Sequence, residues 1–493
     1  MVSASSKNIM QTIDPTSFPP AVQTILKRFH EENLEIYVVG GAVRDHLLGF
    51  PIHDWDFTTN ATPEQILTLF PDGFYDNTFG TVGIAHKHLA QDSTGDTAPT
   101  TDITATTQTT MEESSEIYEI TTFRSDGVYE DHRRPSTVTW GDSLLHDLER
   151  RDFTINAMAI DQAGEIHDPF GGQQDLEQRL VRAVGDPETR FQEDALRMLR
   201  AIRIASQLSF QIDSATLSAI TAQHALIQHT SWERIREEFL KILVTDHPAD
   251  SINLLASTGM LEHILPELLE GRGVEQAHHH IYDVWTHSLQ AVEHCPSKDP
   301  IVRFATLLHD VAKPRTANLS TGTVTFHNHE VVGARMAKEI ASRFRLSKQD
   351  IQRVFGLVRW HMFVYDSNVT DAYIRRFIKR VGVENIPDII ALRTGDRVGS
   401  GAKATSWRLE EMKDRIQAQL HQPFSLKDLK INGDDLMKEL QLQPGPILGK
   451  LLQALFEVVI EDPEKNTKDI LINEAKSILE NTTAFDQLAH PKQ

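Results

Sequence analysis

The spacing of apolar residues changes near residue 172, and this change constrains the fold more than any other feature of the sequence. Before it, short apolar runs such as EIYVVGG at 35–41, GTVGIAH at 80–86 and IYEITTF at 117–123 predict β-strands separated by short helices. After it, apolar residues recur at helical spacing almost to the end of the chain. The sequence therefore predicts an α+β protein, in which a small α/β domain is followed by an all-α region.

Length and local composition divide the chain into segments. A chain of 493 residues favours several domains. We expect an N-terminal segment, an α/β domain and three helical segments, over 1–34, 35–171, 172–265, 266–400 and 401–493. Residues 91–116 are rich in threonine and acidic groups and nearly free of large apolar side chains, so they cannot offset the entropy of ordering. We predict that they form a disordered insertion between two strands.

Composition excludes several classes of protein. No apolar run approaches the ~20 residues that a membrane-spanning helix needs, and the first residues lack the apolar core of a secretory signal. The single cysteine, Cys295, excludes an internal disulfide and favours the reducing cytoplasm. The net charge of −21 argues against broad electrostatic binding of nucleic acid. Six arginines between 179 and 203, and RRFIKR at 375–380, could still bind nucleic acid locally or form solvated helix faces.

The stretch DWDFTT at 54–59 places two acidic residues beside an apolar run. Asp54 and Asp56 are two residues apart, so in a strand their side chains would project from the same face. Two like charges so close are unfavourable unless a cation neutralises them. Their oxygens suit Mg²⁺, and two such ions roughly 3.5–4 Å apart can activate a hydroxyl and stabilise a leaving pyrophosphate. A solvated acidic turn is the alternative, because D-x-D is a short motif.

The stretch GGAVRD at 40–45 ends nine residues before DWD. Gly40 and Gly41 follow an apolar strand and open a helix, where main-chain N–H groups can approach a phosphate. Arg44 could add a bidentate phosphate contact. A pair of glycines alone is a weak signal, but next to DWD it predicts a phosphate-binding site beside the metal site.

Five blocks in a fixed order resemble one protein family. They are YVVGGAVRDHLLGFPIHDWDFTT, YEITTFR, RRDFTINAMAID, DPFGGQQDLEQRLVRAVGDPETRF and EDALRMLRAIRIA, which are spread over residues 37–205. Taken together, these five blocks resemble the class II tRNA nucleotidyltransferase and bacterial poly(A) polymerase family. The resemblance implies a nucleotidyltransferase head, a helical neck, and a body and tail that hold RNA. It also implies transfer of CMP or AMP from CTP or ATP to an RNA 3′ hydroxyl, with two Mg²⁺ at Asp54 and Asp56.

We also expect functional roles for other residues of the head. Arg151 and Asp152 would hold the ribose and triphosphate, and an Arg–Asp surface pair is the alternative. Glu119, on a predicted strand, would supply a third carboxylate near the metals. Residues 125–149 are polar and predict a mobile loop, which in the family helps the switch from adding C to adding A.

The segment EDALRMLRAIR at 193–203 is where we expect the base to be chosen. Asp194 and Arg197 are three residues apart, so on one helix they would share a face. Aspartate accepts from an exocyclic amine and arginine only donates, so the pair would read cytosine or adenine and reject uracil and guanine. In the family this pair is the protein template, and Arg200 and Arg203 would contact the triphosphate. An exposed, salt-bridged neck helix is the alternative.

Histidines and aspartates between 287 and 396 resemble a second family, the HD phosphohydrolases. By that resemblance four residues would bind one divalent metal of unknown identity: His287, His309, Asp310 and Asp396. His329 and His361 could enlarge the site to two metals. The implied activity is hydrolysis of phosphomonoesters or cyclic phosphodiesters, and a helical scaffold without turnover is the alternative.

The leading interpretation is a template-independent, CCA-adding tRNA nucleotidyltransferase. It would bind the tRNA 3′ end, CTP and ATP, without a membrane. A CC-only enzyme, an A-only enzyme and a poly(A) polymerase share the same chemistry and stay open as alternatives. An HD phosphohydrolase with a nucleotide-binding head is a different class, which the intact DWD argues against. A non-catalytic RNA chaperone fits the net charge of −21 poorly.

Overall fold

The structure of the chain is a computed structural model. It describes residues 13–52, 54–75, 80–89, 117–126, 138–140, 143–276, 281–319, 323–363 and 365–480. The predicted insertion at 91–116 and the middle of the predicted 125–149 loop lie outside these residues. The chain separates into two compact units, one reaching residue 246 and including 250–264, the other formed by 247–249 and everything from 265 onward.

The first unit begins with a mixed sheet and its flanking helices. The strands are β1 (Ile36–Val39), β2 (Asp56–Thr59), β3 (Phe74–Tyr75), β4 (Thr81–Ala85), β5 (Ile117–Thr122), β6 (Arg124–Asp126), β7 (Val138–Trp140), β8 (Ala159–Ile160) and β9 (Ile166–His167). The helices are α1 (Pro20–Glu31), α2 (Gly41–Leu48), α3 (Pro63–Leu69), α4 (His86–Leu89), α5 (Leu144–Glu149) and α6 (Gly172–Glu177). α5 occupies the end of the segment that we predicted as a mobile loop, and it buries Leu148.

Seven of these strands form one sheet in the order β3-β4-β5-β2-β1-β8-β9, while β6 and β7 pair separately. β2 and β5 are parallel, and the other neighbours are antiparallel. Val38, Phe57 and Ile120 follow one another across the central strands, and each is almost completely buried. α3 begins with a capping box, which the sequence TPEQ at 62–65 predicts and in which Thr62 and Gln65 each accept from the other's main-chain N–H. The predicted α/β domain is confirmed.

The rest of the first unit is mainly helical. It contains α7 (Pro187–Glu193), α8 (Leu196–Leu208), α9 (Ser214–Gln223), α10 (Trp232–Leu243), α11 (Pro248–Ser257) and α12 (Leu261–Ile264). Two short parallel strands that were not predicted, β10 (Leu180–Val181) and β11 (Gln211–Ile212), pair beside α8.

The expectation that Asp194 and Arg197 lie on one helix is wrong. α7 ends at Glu193, the backbone at Asp194 is extended (φ −145°, ψ 103°), and α8 begins at Leu196. The Leu196 N–H donates to Asp194 Oδ1 at 3.1 Å. The Asp194 side chain therefore satisfies a free donor at the start of α8, and the break separates it from the helix of Arg197.

The described residues of the second unit are almost entirely helical. They form α13 (Pro266–Leu269), α14 (Val284–Glu293), α15 (Pro300–Leu308), α16 (Lys313–Thr316), α17 (His329–Arg343), α18 (Lys348–Trp360), α19 (Asp371–Val381), α20 (Ile386–Gly399), α21 (Trp407–Gln419), α22 (Gly433–Leu440), α23 (Pro446–Glu461) and α24 (Lys468–Glu480). A separate core at the C-terminal end includes the buried Leu436, Leu451 and Leu471. No described helix is long and apolar enough to cross a membrane.

Glycine allows α14 and α20 of the second unit to approach closely. A Cβ at Gly395 would lie 2.4 Å from the carbonyl oxygen of Ala291, and one at Gly399 would lie 2.9 Å from the Ala291 nitrogen. Both helices carry a predicted metal ligand, His287 on α14 and Asp396 on α20. The close contact therefore sets the distance between these two side chains.

Candidate active site and metal cluster

Asp54 and Asp56 lie where β2 begins, and both line one cavity. Asp56 is the first residue of β2 and pairs with Val39, whereas Asp54 precedes the strand. Burial raises the pKa of Asp56; the Arg151 guanidinium opposes this rise and the Asp54 carboxylate adds to it. The two carboxylates therefore form a donor set that fits a divalent cation such as Mg²⁺.

Glu119 lies beside Asp56 in the sheet. It is the Cα partner of Asp56 on the parallel strand β5, and residues in register on neighbouring strands project from the same face. Glu119 is not among the residues that line the cavity. Its role as a third catalytic carboxylate stays a prediction.

Gly40 and Gly41 form the turn from β1 into α2. Gly40 has φ +74° and ψ −136°, a conformation that glycine alone adopts easily. A Cβ at Gly40 would lie 3.0 Å from Arg151 Nη1 and 3.5 Å from Asp56 Oδ2. Glycine is required here because the backbone passes directly against two side chains of the cavity.

Arg44 lines the same cavity and has protein partners. It donates to both oxygens of Asp45, at 2.8 and 3.0 Å, and to Asn156 Oδ1 at 2.8 Å. A bound phosphate would have to share or replace these partners.

Arg151 and Asp152, adjacent in sequence, have different partners. Arg151 lies 3.2 Å from the buried Asp147. Asp152 is 9% exposed and accepts from Arg200, with Nη2 2.6 Å from its Oδ2, and from Asn156 Nδ2 at 3.0 Å. Although burial opposes ionisation, Arg200 lowers the pKa of Asp152 to about 2. Asp152 is therefore an ionised buried acceptor.

Asp194 lies in the break between α7 and α8 and Arg197 lies on α8, and both line the cavity. Asp194 is bound bidentately by Arg234 of α10, at 3.1 Å from Nη1 to Oδ1 and 2.7 Å from Nη2 to Oδ2. Arg197 is 8% exposed. Its N–H groups donate to Glu193 Oε2 at 2.6 Å, Arg190 O at 3.1 Å and Arg150 O at 2.8 Å.

Arg200 and Arg203 share a partner on α10. Arg203 donates from Nε to Glu238, and Arg200 Nη1 lies 3.7 Å from the same carboxylate. Glu238 is 5% exposed. Arg234 and Glu238 are four residues apart and so occupy one face of α10. No role is predicted for Arg234 or Glu238 from the sequence, although two opposite charges four residues apart in WERIREEF are a usable signal.

The cavity has a volume of about 800 Å³, within the range of small-molecule sites. Among the residues predicted for the head site, it is lined by Gly40, Gly41, Arg44, Asp54, Asp56, Arg151, Asp152, Asp194, Arg197, Arg200 and Arg203. The fold thus collects residues that are more than 160 positions apart in the sequence.

The second unit collects the four predicted HD residues in its interior. His287 Nε2 lies 3.0 Å from His309 Nε2, 3.0 Å from Asp310 Oδ2 and 3.4 Å from Asp396 Oδ1. All four residues are buried. The structure therefore places the expected ligands around one point.

His329 and His361 approach the other oxygen of Asp310. Their Nε2 atoms lie 3.3 and 3.7 Å from Asp310 Oδ1. Two triads result, His287–His309–Asp310 and Asp310–His329–His361, each with ligand atoms within 4.8 Å of one another. Asp310 belongs to both triads, as the carboxylate of a two-metal centre would.

The main chain fixes the orientation of three of these imidazoles. The Nδ1 atoms of His309, His329 and His361 lie 2.7, 2.8 and 2.7 Å from the carbonyl oxygens of Thr306, Phe326 and Val358. A proton on each Nδ1 would donate to its carbonyl and leave the Nε2 lone pair directed at Asp310, the arrangement typical of metal ligands.

The chemistry of the cluster fits a divalent cation. Among the described residues, Asp310 Oδ1, His329 Nε2 and His361 Nε2 are buried and have no hydrogen-bond partner. Burial opposes protonation of His309, yet its pKa is raised to about 10 by Asp310 and Asp396. The cluster therefore favours a positive charge at its centre, which a metal ion would supply.

The basic stretch RRFIKR at 375–380 lies on α19, and its side chains contact α23. Arg375 is buried and donates to the carbonyl oxygens of Ile460, at 2.6 Å, and Glu461, at 2.7 Å, at the end of α23. Lys379 pairs with Glu457 on the same helix. These cations bind α19 to α23, so they give no support to a nucleic-acid site.

Comparisons with known families cover most of the chain. Residues 36–182 match the Poly A polymerase head domain. Residues 209–271 match a domain described as an RNA and SrmB binding site of polymerase A, and residues 330–475 match tRNA nucleotidyltransferase domain 2.

Curated relatives and one solved structure extend this similarity. The CCA-adding enzyme of Ligilactobacillus salivarius is 32% identical over 469 residues, which are 94% of this chain and 98% of that enzyme. The CCA-adding enzyme of Geobacillus thermodenitrificans is 44% identical over 255 residues, 51% of this chain and 56% of that enzyme. The A-adding tRNA nucleotidyltransferase of Deinococcus radiodurans is 36% identical over 330 residues, 64% of this chain and 75% of that enzyme. The crystal structure of the Bacillus stearothermophilus CCA-adding enzyme in complex with CTP has a TM-score of 0.68 and 26% identity, and the match covers 94% of this chain and all of that one.

Proposed function

This chain belongs to the family of CCA-adding tRNA nucleotidyltransferases, and on that premise we propose how its own residues carry out the reaction. The enzyme transfers CMP and AMP from CTP and ATP to the 3′ end of tRNA without a nucleic-acid template. One observation carries the assignment of residues: a single cavity contains the acidic pair Asp54–Asp56 and the base-reading candidates Asp194 and Arg197.

The acidic pair is proposed to act on the reacting phosphate. Divalent cations, which we propose to be two Mg²⁺, would lower the pKa of the RNA 3′ hydroxyl and neutralise the leaving pyrophosphate when bound. Asp54 and Asp56 would hold them, with Glu119 contributing from the neighbouring strand. The 3′ oxygen attacks the α-phosphorus, the bond to the β-phosphate oxygen breaks, and pyrophosphate leaves.

The arginines of the cavity are proposed to bind the triphosphate. Main-chain N–H groups of the Gly40–Gly41 turn and the side chains of Arg44, Arg200 and Arg203 would contact phosphate oxygens. Each of these arginines is paired with a carboxylate, so a triphosphate oxygen would replace that carboxylate, or share the arginine with it, when the nucleotide binds.

The ribose and the base are proposed to be read by separate groups. Arg151 and Asp152 would contact the ribose. Asp194 would accept from the exocyclic amine of cytosine or adenine, while Arg197 would donate to the ring nitrogen beside it. The neck, over 172–265, would then choose the base, and the tail, over 401–493, would contact the RNA.

One assay separates full CCA addition from its alternatives. The protein is incubated with tRNA lacking CCA, tRNA ending in C and tRNA ending in CC, each with CTP, ATP or both. We expect completed CCA on all three substrates. Addition that stops at CC, or that starts only from CC as an A-adding enzyme would, contradicts the full reaction. Long A tails on unrelated RNA would favour a poly(A) polymerase.

The buried imidazole cluster favours a second activity. We propose that His287, His309, Asp310 and Asp396 bind a divalent metal, with His329 and His361 extending the site. Imidazole and carboxylate ligands together suit Mn, Fe, Ni or Zn. Lys313 and Arg393 line the adjacent cavity of about 580 Å³ and would bind an anionic phosphate ester. The proposed reaction is hydrolysis of a phosphomonoester or a cyclic phosphodiester, in the cytoplasm where tRNA, CTP and ATP are available.

Metal analysis and a hydrolysis assay test this second activity. Opening of a 2′,3′-cyclic phosphate is measured for the wild type, Asp310→Ala and Asp54→Ala. We expect Asp310→Ala to lose both bound metal and hydrolysis, and Asp54→Ala to lose only nucleotide transfer. Equal hydrolysis by the wild type and Asp310→Ala would exclude the cluster as its site.

A further inference from the structure

We infer that Arg234 of α10 is a specificity-determining residue that positions the base-reading carboxylate of Asp194. By holding both carboxylate oxygens it leaves room for one exocyclic amine and excludes guanine. This inference rests on the proposed role of Asp194 in choosing the base, and it adds a residue outside the motifs that assign that role.

The hydrogen bonds of Asp194 leave it a single acceptor position. A carboxylate has about four lone-pair positions. Oδ1 accepts from Arg234 Nη1 at 3.1 Å and from the Leu196 N–H at 3.1 Å, and Oδ2 accepts from Arg234 Nη2 at 2.7 Å. Among the described residues no other donor reaches this side chain, so one position remains, on Oδ2.

Arg197 keeps a complementary set of donors. A guanidinium has five N–H groups. Two on Nη1 and one on Nη2 are donated to Glu193 Oε2, Arg190 O and Arg150 O. One Nη2–H and the Nε–H therefore remain for a ligand.

The remaining groups match cytosine and adenine. Each of these bases presents one amine next to a ring nitrogen that accepts, which one acceptor on Asp194 and one donor on Arg197 can satisfy. Uracil presents a carbonyl where the amine should be, so two acceptors would face each other. Guanine presents a carbonyl and two adjacent donors, N1–H and N2–H, for which a carboxylate with one free position has too few acceptors.

Loss of Arg234 should therefore change the choice of base in one direction. Without it, Asp194 regains two acceptor positions, one on each oxygen, and its carboxylate can rotate. Two oxygens can then accept N1–H and N2–H of guanine together, as a carboxylate accepts from a guanidinium. Uracil gains less, because it offers only N3–H.

The test compares Arg234→Met, Arg234→Lys and Arg236→Met with the wild type. Arg236 is a matched control: it lies on the same helix, its side chain is 26% exposed like that of Arg234, its Nη2 is 3.5 Å from Glu237, and it does not line the cavity. kcat and KM are measured for CTP, ATP, UTP and GTP with tRNA lacking CCA and tRNA ending in CC. Equilibrium dialysis of CTP and GTP gives a second measurement that does not depend on turnover.

For Arg234→Met we expect KM for CTP and ATP to rise about 10-fold, and kcat/KM for GTP relative to CTP to rise about 10- to 100-fold, since the loss or gain of a buried hydrogen bond has effects of this size. UTP should gain less than GTP. Arg234→Lys, which keeps the charge without the bidentate geometry, should be intermediate, and Arg236→Met should behave as wild type.

Three results would overturn the inference. Equal loss of kcat for all four nucleotides would mean general structural damage, and tighter CTP binding with unchanged selectivity would mean that Arg234 competes with the substrate. An equal rise in GTP use by Arg236→Met and Arg234→Met would mean that the contact between Arg234 and Asp194 does not determine the choice of base. If the wild type adds no nucleotide to any tRNA, the proposed function fails instead.

Discussion

The ionised carboxylate of Asp56 destabilises the protein when no metal ion is bound. Burial and the neighbouring Asp54 hold its pKa above the ordinary value, so the fold disfavours its ionised form. Asp56→Asn removes that charge and a proposed metal ligand together. We expect nucleotide transfer to be lost, while the Tm in magnesium-free buffer stays the same or rises. Thermal unfolding measured with and without Mg²⁺ checks this, and a Tm several degrees below wild type would contradict it.

Arg200 and Asp152 give a pH dependence with a definite sign. Because the folded pKa of Asp152 is lowered to about 2, its pairing stabilises the protein above the unfolded pKa near 3.8, and the stabilisation is lost as the pH falls toward 2. Arg200→Met should cost about 1–3 kcal/mol at pH 7, since it leaves a buried charge without its cation. Acidification from pH 5 to pH 3 should then destabilise this variant less than the wild type.

Urea unfolding at pH 7, 5 and 3 measures this difference. Arg376→Met is a control, because its guanidinium is 41% exposed and the side chain of its partner Glu461 is 57% exposed. If the free energy of unfolding falls equally between pH 5 and pH 3 in the wild type and Arg200→Met, the Arg200–Asp152 pair does not control the loss of stability in acid.

The turn between β1 and α2 predicts a contrast between two glycines. Gly40→Ala introduces a Cβ 3.0 Å from Arg151 Nη1 in a backbone conformation that alanine avoids, whereas a Cβ at Gly49, after α2, has nothing within 4 Å. Gly49 is in the ordinary left-handed region, with φ +71° and ψ 25°. Gly49→Ala should lose about 1–2 kcal/mol from its left-handed backbone, and Gly40→Ala should lose about 1–3 kcal/mol from a backbone conformation that is almost restricted to glycine.

Activity should separate the two variants. We expect Gly40→Ala to lose at least about 10-fold in kcat/KM, because displacement of Arg151 misaligns the cavity, and Gly49→Ala to keep it. Steady-state addition of CMP to tRNA, with unfolding curves for both variants, checks the prediction. Equal activity of the two variants would show that the close contact between residue 40 and Arg151 does not affect catalysis.

Local signals predicted many of these elements. The Thr62–Gln65 capping box and the glycine turn before α2 were recoverable because their determinants lie within four residues of one another. The histidine cluster was recoverable only through the resemblance to the HD phosphohydrolases, since its members come from five different segments of the chain.

The break between α7 and α8 was not recoverable in the same way. EDALRML contains no glycine or proline, so its helical period continues without interruption through Asp194. What interrupts it is the Asp194 carboxylate, which bonds to the Leu196 N–H and to Arg234, forty residues further on. A contact over that distance overrides local propensity and leaves no trace in the local pattern.

The two units predict two separable responses to ligands. Each has its own buried core and its own cluster of charged groups, the head cavity in the first and the imidazole cluster in the second. A ligand at 100 times its Kd stabilises the state that binds it by about 2.7 kcal/mol. In scanning calorimetry we expect two transitions, one raised by CTP with Mg²⁺ and the other raised by Mn²⁺ alone.

Variants assign the transitions. Asp310→Ala should abolish the shift caused by Mn²⁺ and leave the shift caused by CTP, and Asp194→Ala should do the reverse. A single transition that responds to both ligands, or an Mn²⁺ shift that persists in Asp310→Ala, would contradict the assignment.

The antiparallel pairing of β4 with β5 has a consequence for engineering. Ala85, the last residue of β4, is the Cα partner of Ile117, the first residue of β5, so the chain leaves the sheet and returns to it about 5 Å away. Doubling the length of such a connection costs only about 0.6 kcal/mol in closure entropy. The connection between β4 and β5 is therefore a suitable place to insert a reporter domain with neighbouring termini, and we expect such an insertion at 91–116 to leave the proposed metal-binding carboxylates Asp54 and Asp56, beside and on the next strand β2, undisturbed.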